Sequence, residues 1–231
     1  MPELKEVLRR IPYLGTALTV IVRKCRAEPP FETSARYWER RYAHGGHSGS
    51  GSRSTLAHFK AEIVNDFVSA MKVRDVVELG CGDGRQLSLA RYPKYHGYDI
   101  SPTSVSICRD VFRDDHTKKF SLLDVGELPE KADLVLSLDV IYHLVEDNVY
   151  EDYMGKLFSS SRKYVIIYSS NFEHEESDHV RHRNFTKWIY HNEPGFQLIR
   201  HIPNRYPYDP LQPSTTSLAE FFVYSNASHT S

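Results

Sequence analysis

Three glycines at alternate positions follow a short apolar run, and they constrain the fold of this chain more than any other feature. The apolar run is Asp75–Leu79, and the overlapping segment Glu78–Gly84 reads Glu-Leu-Gly-Cys-Gly-Asp-Gly. Glycine permits positive φ angles and a close approach of the backbone to a ligand. In parallel α/β sheets, ligands bind beyond the carboxyl ends of the strands. The segment therefore predicts a ligand-binding turn after a buried strand.

The spacing of these glycines separates the turn from two common nucleotide-binding loops. A dinucleotide fingerprint has the spacing G-x-G-x-x-G. Here the spacing is G-x-G-x-G, and Arg85 occupies the place of the third glycine of the fingerprint. No Gly-Lys pair followed by Ser or Thr is present, as a P-loop requires. A nicotinamide dehydrogenase is disfavoured, and a P-loop is excluded.

Strand-like and helix-like segments alternate from residue 73 onward. We predict strands over Asp75–Leu79, Tyr95–Ile100, Lys119–Leu123, Ala132–Leu138, Tyr164–Tyr168, Phe196–Ile202 and Ala219–Tyr224, and helices over Arg85–Tyr92, Ser101–Phe112, Asn148–Ser159 and Phe185–His191. This alternation predicts an α/β fold with a seven-stranded, mostly parallel Rossmann-like sheet and helices on both faces. The last two strands leave no room for a long helix between them, so we expect an antiparallel edge.

Two carboxylates stand at the ends of the predicted second and third strands. Asp99 lies 19 positions after Gly80, and Asp124 follows the third strand. A carboxylate at the end of the second strand can accept two hydrogen bonds from a ribose diol. Either aspartate alone could cap a helix or bond to a turn. Together with the glycine turn they favour a nucleoside-containing ligand.

With these residues the chain resembles the class I S-adenosylmethionine-dependent methyltransferases. The segments Glu78–Gly84, Gly97–Ser101, Leu122–Val125 and Asp133–His143 resemble, in that order, the first motif, the ribose-binding strand end, the adenine-side motif and the fourth motif. The likeness covers about residues 34–224 and implies S-adenosyl-L-methionine as the cofactor. It implies these cofactor-binding residues: Glu78, Gly80, Cys81, Gly82, Gly84, Asp99, Ile100, Asp124, Val125 and Asp139.

The same likeness implies a part of the cofactor for several of these residues. Gly80 and Gly82 would approach the methionine part, Asp99 the ribose, and Asp124 the adenine amine. Asp139 or its neighbouring backbone would hold the amino-acid end.

Four further segments resemble a bacterial subgroup that is often encoded beside surface-polysaccharide genes. They are Tyr37-Trp38, Ser48–Ser52, Phe59–Glu62 and His179–Arg183. We therefore expect the acceptor to be a small molecule or glycan, methylated on a sugar hydroxyl. The alternatives are a methyltransferase acting on RNA or protein, and a non-catalytic module that binds adenosylmethionine within an assembly.

A hydroxyl acceptor must lose its proton, and histidine is well suited to accept it near neutral pH. His143 follows the fourth strand by five residues, and Tyr142 precedes it. His143 is the first candidate for the general base, and a helix-start residue packed beneath the sheet rim is the alternative. We expect Tyr142 to contact the acceptor.

The segment His179–Arg183 follows the fifth strand and carries two more candidate bases, His179 and His182. Arg181 and Arg183 would clamp a phosphate or carboxylate of the acceptor. The alternative is a solvated basic turn. No metal is expected, because the fifth strand ends without an aspartate and leaves a thin set of oxygen ligands.

The chain is predicted to consist of an N-terminal arm, residues 1–30, and a catalytic domain, residues 31–231. Within the arm, residues 4–26 suit an amphipathic helix that packs on protein or makes a peripheral contact with a membrane. The helical residues 34–70 would cover the cofactor. The glycine- and serine-rich run Gly45–Ser54 is either a linker or a loop that orders over a ligand.

Charge and cysteine usage limit the remaining possibilities. The net charge is −1, and no strong basic stripe is present, so no nucleic-acid partner is expected. The three cysteines are widely spaced, which suits a reducing cytoplasmic setting. The apolar run Ile11–Val22 is shorter than the roughly 20 residues that a membrane span needs.

Overall fold

The computed structural model describes residues 30–124 and 126–229, so the predicted N-terminal helix over residues 4–26 lies outside the described residues, as does Val125. The helices are α1 (Ser34–Ala43), α2 (Thr55–Ala70), α3 (Pro102–Val111), α4 (Asp147–Ser159) and α5 (Phe185–Asn192). The strands are β1 (Val76–Leu79), β2 (Tyr95–Asp99), β3 (Lys118–Leu122), β4 (Ala132–Leu138), β5 (Ser161–Ser169), β6 (His174–Ser177), β7 (Val180–His182), β8 (Phe196–Ile202) and β9 (Glu220–Asn226).

Seven of the strands form one sheet in the order β3-β2-β1-β4-β5-β9-β8. The first five of these are parallel to one another, while β9 runs antiparallel to both β5 and β8. The prediction of a mostly parallel sheet with an antiparallel edge is therefore confirmed. The strand order reverses between β1 and β4, which opens a crevice at their carboxyl ends.

The core lies on both faces of the sheet because neighbouring residues of each buried strand point in opposite directions. One hydrophobic cluster joins Val76, Leu134 and Ile166 of the strands to Phe59, Val64 and Val68 of α2 and Val105 of α3. The other joins Val77, Val135 and Val165 to Tyr153, Met154 and Leu157 of α4 and Ile189 of α5. Helices cover both faces, as predicted. Each fully buried aliphatic side chain contributes about 1.5–3 kcal/mol.

The predicted helix over Arg85–Tyr92 is wrong, and only a short 3-10 helix, Leu87–Leu89, forms there. The side chain of Asn65 donates to the carbonyl of Leu89 (2.9 Å) and accepts from the N–H of Arg91 (2.8 Å). These contacts satisfy backbone groups that a helix would otherwise use. Pro93 also disfavours a helical conformation at the residue before it.

A second difference concerns the polar segment after β5, for which the sequence analysis predicts no strand. β6 and β7 pair there as an antiparallel hairpin. All four β6 residues are exposed, so the segment lacks the alternation of apolar and polar residues by which a strand is recognised. Among the described helices, none is both long and apolar enough to cross a membrane.

Candidate active site

A cavity of about 300 Å³ lies at the carboxyl ends of β1, β2 and β4. Its wall contains these predicted site residues: Glu78, Gly80, Cys81, Gly82, Asp99, Ile100, Asp139 and His143. Side chains of α1, α2 and α4 complete the lining, among them Trp38, Lys60 and Asp152. The size is that of a small-molecule site.

The glycine turn has the backbone geometry that its sequence predicts. Gly80 and Gly82 have φ angles of 83° and 58°, a region that disfavours other residues. A Cβ at Gly80 would lie 2.5 Å from Cγ2 of Val140, and one at Gly82 would lie 2.3 Å from Oγ of Ser48. Glycine is therefore required for both conformation and space. Gly84 also has a positive φ but does not line the cavity.

Asp99 connects the end of β2 to the glycine turn. Its carboxylate accepts the N–H of Gly82 at 2.8 Å and the N–H of Ser101 at 3.0 Å. Burial raises the pKa of this carboxyl, while the backbone hydrogen bonds oppose that rise. A carboxylate has about four acceptor positions. The backbone hydrogen bonds from Gly82 and Ser101 hold this carboxylate at the cavity wall.

Glu78 lies near the end of β1 and lines the cavity. Its Oε2 accepts the hydroxyl of Tyr95 at 2.6 Å. Burial raises the pKa of Glu78 to about 7, although the Tyr95 hydrogen bond acts in the opposite direction. Glu78 is therefore a carboxyl group whose charge changes near neutral pH.

Asp139 directly follows β4 and adopts a left-handed backbone conformation, with a φ of 61°. One carboxylate oxygen forms an ion pair with Lys60 of α2, and the other accepts the hydroxyl of Tyr142 at 2.8 Å. Tyr142 thus binds Asp139, and it is not part of the cavity wall. Lys60 was missed in the sequence because a lysine within a helix usually belongs to a solvated face.

His143 lies in the cavity wall beside α1. Its Nδ1 atom is 3.1 Å from the carbonyl oxygen of His179, and its ring meets that of Trp38 edge-on at 4.8 Å. Burial lowers the pKa of His143 to about 4. The imidazole is therefore neutral at physiological pH. A carbonyl only accepts, so Nδ1 carries the hydrogen and Nε2 keeps its lone pair.

The structure does not bring the other two predicted histidines into the cavity wall. His179 lies at the turn of the β6–β7 hairpin and stacks on Tyr37 of α1, with 4.5 Å between ring centroids. His182 is buried, and both of its ring nitrogens are engaged. Nδ1 contacts Oγ of Ser170 at 2.6 Å, and Nε2 contacts Oε2 of Glu176 at 2.7 Å.

Arg181 and Arg183 also lie outside the cavity wall, and both bind the chain after His143. Arg183 is buried and donates to the carbonyls of Leu144 and Val145 at 2.9–3.1 Å. It also forms an ion pair with Asp147 at 2.7 Å. Arg181 pairs with the same carboxylate oxygen at 3.0 Å. The side chain of Arg183 is therefore neither free to clamp an anion nor part of a solvated turn. Its N–H groups bind the loop that follows His143.

Of the adenine-side motif, Leu122–Val125, the structure describes residues 122–124. Asp124 is exposed, and its carbonyl accepts from Nζ of Lys156 at 2.9 Å. Lys156 also pairs with Asp152 at 2.7 Å, and both of these α4 residues line the cavity. The sequence contained no motif that marked them. Their helical spacing is that of an ordinary exposed ion pair.

The glycine- and serine-rich segment Gly45–Ser54 packs on the glycine turn, which excludes a simple linker. The N–H of Ser48 donates to the carboxylate of Asp83 at 3.2 Å, and the N–H of Asp83 donates to Oγ of Ser48 at 3.0 Å. Ser48 and Ser52 both line the cavity. No group of three or more metal-binding side chains occurs within the described ranges.

The cavity matches the chemistry of adenosylmethionine in three respects. Gly80 and Gly82 bring bare backbone to its wall, Lys60 supplies a cation, and five carboxyl groups line it: Glu78, Asp83, Asp99, Asp139 and Asp152. Oε1 of Gln86 is buried without a hydrogen-bond partner among the described residues, and Gln86 lines the cavity. A buried acceptor of this kind is costly unless a ligand satisfies it.

Comparisons with known proteins agree with this geometry. A family model described as a methyltransferase domain matches residues 52–209, which is more than half of the chain. One similar solved structure is N-methyltransferase NodS from Bradyrhizobium japonicum, crystallised with S-adenosylhomocysteine. Its sequence is 12% identical to this chain and the two structures superpose with a TM-score of 0.65. The superposition covers 84% of this chain and 99% of NodS.

A second is magnesium protoporphyrin IX methyltransferase from Synechocystis, crystallised with adenosylmethionine. Its sequence is 17% identical to this chain, and the TM-score is 0.61. The superposition covers 87% of this chain and 100% of that enzyme. No curated protein sequence is significantly similar to the chain. The family match and the site together lead to one conclusion. The chain belongs to the methyltransferase-domain family and is an S-adenosylmethionine-dependent methyltransferase with a Rossmann-like fold.

Proposed function

We propose that this enzyme methylates a hydroxyl group of a sugar or glycan by in-line transfer, with His143 as the general base. The observation that carries the proposal is the state of His143. Burial keeps its ring neutral, and the His179 carbonyl occupies Nδ1. No described residue hydrogen-bonds Nε2, so this nitrogen is available in the cavity wall to accept a proton.

The bound cofactor supplies an electrophilic methyl group on a sulfonium. His143 accepts the proton that the acceptor hydroxyl loses, so that a full negative charge need not form on the acceptor oxygen. A pKa near 4 makes His143 a weak base in water. It also keeps the ring unprotonated, so that Nε2 can accept the hydroxyl proton as the acceptor oxygen forms a bond to the methyl carbon with a lone pair and the carbon–sulfur bond breaks.

Aromatic side chains around His143 support a sugar as the acceptor. Trp38 lines the cavity, and the stacked rings of Tyr37 and His179 lie next to it. Flat aromatic rings offer large apolar surfaces at a small entropic cost, which suits the C–H face of a sugar. The resemblance of Tyr37-Trp38 and His179–Arg183 to the polysaccharide-associated subgroup points in the same direction.

The proposed cofactor contacts follow the order of the strands. Asp99 binds the ribose diol, Ile100 covers the adenine, and Asp124 binds the adenine amine. Gly80, Gly82 and the adjoining Cys81 and Glu78 surround the methionine part. The domain boundaries, with an arm over residues 1–30 that contacts protein or membrane, belong to the same proposal.

A labelling experiment tests the acceptor. The protein is incubated with cell fractions and adenosylmethionine carrying an isotope-labelled methyl group, with His143→Gln as the matched control. Label recovered as an O-methyl sugar after acid hydrolysis, and lost in the control, supports the proposal. Label confined to RNA or protein contradicts it. Cofactor binding without any transfer to these fractions would instead favour a non-catalytic module.

A further inference from the structure

We propose that the sugar acceptor carries a phosphate group, and that Arg41, Arg53 and Arg85 bind this phosphate. We call these three residues the arginine cluster. The inference rests on the proposed function and names its substrate class, a sugar phosphate or sugar diphosphate in place of a neutral glycan. Both arginines of the clamp predicted from the sequence, Arg181 and Arg183, are paired within the protein and do not line the cavity.

Arg41 lies on α1 close to the proposed base. Its Cζ atom is 5.5 Å from the centroid of the Trp38 ring, and the same ring lies 4.8 Å from the ring of His143. Burial is the main cause of the low pKa of His143, and the positive charge of Arg41 lowers it further. Trp38 lines the cavity and contacts both residues. A sugar that lies along Trp38 with a hydroxyl at His143 therefore directs its phosphate toward Arg41.

The side chain of Arg41 is half-buried and held in place. Its Nε donates to the carbonyl of His47 at 2.7 Å, and its Nη1 donates to the hydroxyl of Tyr37 at 3.2 Å. A Cβ at Gly46 would lie 2.8 Å from Cγ of Arg41, so the turn after α1 packs on the arginine stem. Nη2 donates to none of the described residues. Arg41 thus presents an oriented donor edge, which is the part of an arginine that binds phosphate.

Arg53 and Arg85 lie with Arg41 around the ring of His47. Burial lowers the pKa of His47, and the positive charges of the arginine cluster lower it further, while Asp83 acts in the opposite direction. Such effects require charges that are close to the ring. Nδ1 of His47 accepts the N–H of Gly49 at 3.0 Å, so Nε2 carries the hydrogen of the neutral ring and adds a donor to the cluster.

The positive charge of the arginine cluster has little compensation. Among the residues that the structure describes, no carboxylate forms an ion pair with its three side chains, whereas Arg36 of the same helix is paired with Glu32. Asp83 instead accepts the backbone N–H groups of Ser48 and Arg85. Like charges that are held together repel one another. A phosphate, which carries about two negative charges, removes this cost.

Calorimetry with inorganic pyrophosphate tests the arginine cluster directly. The protein is saturated with S-adenosylhomocysteine so that the cofactor site is occupied, and acetate at the same ionic strength serves as a carboxylate probe. We compare the full chain, Arg41→Met, and Arg200→Met as a charge-matched control at an exposed arginine of β8. The unaltered chain should bind pyrophosphate more tightly than acetate. Arg41→Met should weaken pyrophosphate binding by about tenfold to a hundredfold, the range for hydrogen bonds to a charged group, and Arg200→Met should leave it unchanged.

A second variant keeps the test valid if Arg41→Met does not fold. Arg53→Met combined with Arg85→Met changes two exposed side chains and should also weaken pyrophosphate binding by about tenfold or more. The proposal is overturned if the unaltered chain does not bind pyrophosphate, binds acetate equally well, or keeps its pyrophosphate affinity in the cluster variants. An equal loss in Arg200→Met would show a general effect of net charge and would overturn it as well.

The labelled product separates this inference from the proposed function. Before hydrolysis, the labelled O-methyl sugar should be retained by an anion-exchange resin. Mild acid followed by phosphatase should abolish this retention, because these treatments remove phosphate but leave a carboxylate in place. Label in a neutral or carboxylate-bearing glycan would overturn the phosphate assignment and leave sugar methylation standing. Label confined to RNA or protein would contradict both.

Discussion

The Nδ1 atom of His143 lies 3.1 Å from the carbonyl oxygen of His179, a residue 36 positions further along the chain. This contact fixes which ring nitrogen carries the hydrogen, and it ties the orientation of the ring to the β6–β7 hairpin. His179 in turn stacks on Tyr37 of α1. Hairpin, helix and His143 therefore form one side of the active site.

The first prediction concerns the base. Replacing His143 by Gln keeps a polar side chain of similar size but removes the nitrogen that accepts a proton. The turnover number should fall by about 10²–10⁴-fold, the usual contribution of a general base, while the Kd of adenosylmethionine changes by less than about twofold. Methyl-transfer assays and calorimetry measure the two quantities. Full turnover in His143→Gln would assign the base elsewhere.

The second prediction is the pH dependence of turnover. Burial lowers the pKa of His143 to about 4, and the neutral ring is the active form. At saturating cofactor and acceptor, the rate should stay constant from pH 7 down to about 5 and fall as the pH approaches 4. In the window between about 6.5 and 4 the unfolded chain binds a proton that the folded chain does not, so His143 also reduces stability as the pH falls. An acidic limb centred near 6.5 that persists in Glu78→Gln would contradict the assignment.

The third prediction uses Glu78, whose folded pKa of about 7 exceeds the ordinary value of 4.5. Between these values the folded protein holds a proton that the unfolded chain has released, so the free energy of unfolding falls as the pH rises. Well above pH 7 the ionised carboxylate costs on the order of 3 kcal/mol. Glu78→Gln should remove this cost. Urea unfolding should find it more stable than the wild type at pH 8 and equal at pH 4.5, and the same difference at both pH values would refute the explanation.

The fourth prediction separates loop support from acceptor binding. Arg183→Met leaves the carbonyl of Leu144 without its side-chain donor, removes one of the two arginine donors to the carbonyl of Val145 and breaks a pair with Asp147. We expect a loss of about 2–4 kcal/mol in the free energy of unfolding. The matched control is Arg181→Met, because Arg181 also pairs with Asp147 but is more exposed than Arg183. This variant should lower the free energy of unfolding by less than about 1 kcal/mol. An Arg183→Met protein of normal stability but raised KM for an anionic acceptor would restore the clamp hypothesis.

The fifth prediction tests the ribose contact. Asp99→Ala removes the carboxylate that is proposed to accept the diol, and adenosylmethionine should bind about a hundredfold more weakly. Methylthioadenosine keeps the ribose but lacks the amino acid, so it should lose affinity by the same factor. Calorimetry with both ligands makes the comparison. A loss restricted to adenosylmethionine would move Asp99 to the methionine side.

The local features of the site could be predicted from the sequence. The conformation of Gly80 and Gly82, the cap at Ser101 and the start of α3 depend on the residues themselves and their immediate neighbours. The strand and helix signals are also local, because a strand buried on both faces is a short apolar run and a helix repeats its apolar residues every three to four positions. These signals were sufficient for the seven strands of the main sheet, and the family resemblance that the motifs carry implied the cofactor class.

The uses of Lys60, Asn65, His182 and Arg183 were decided only by the tertiary structure. Asn65 lies 24 residues before the carbonyl that it binds, and Lys60 lies 79 residues before Asp139. No local pattern specifies such pairs, since they form when distant elements pack on one sheet. The sequence by itself determined the sheet, the glycine turn and the methyl donor. Packing across the sheet decided that Arg183 supports a loop, that His143 is neutral, and that a buried lysine faces the cavity.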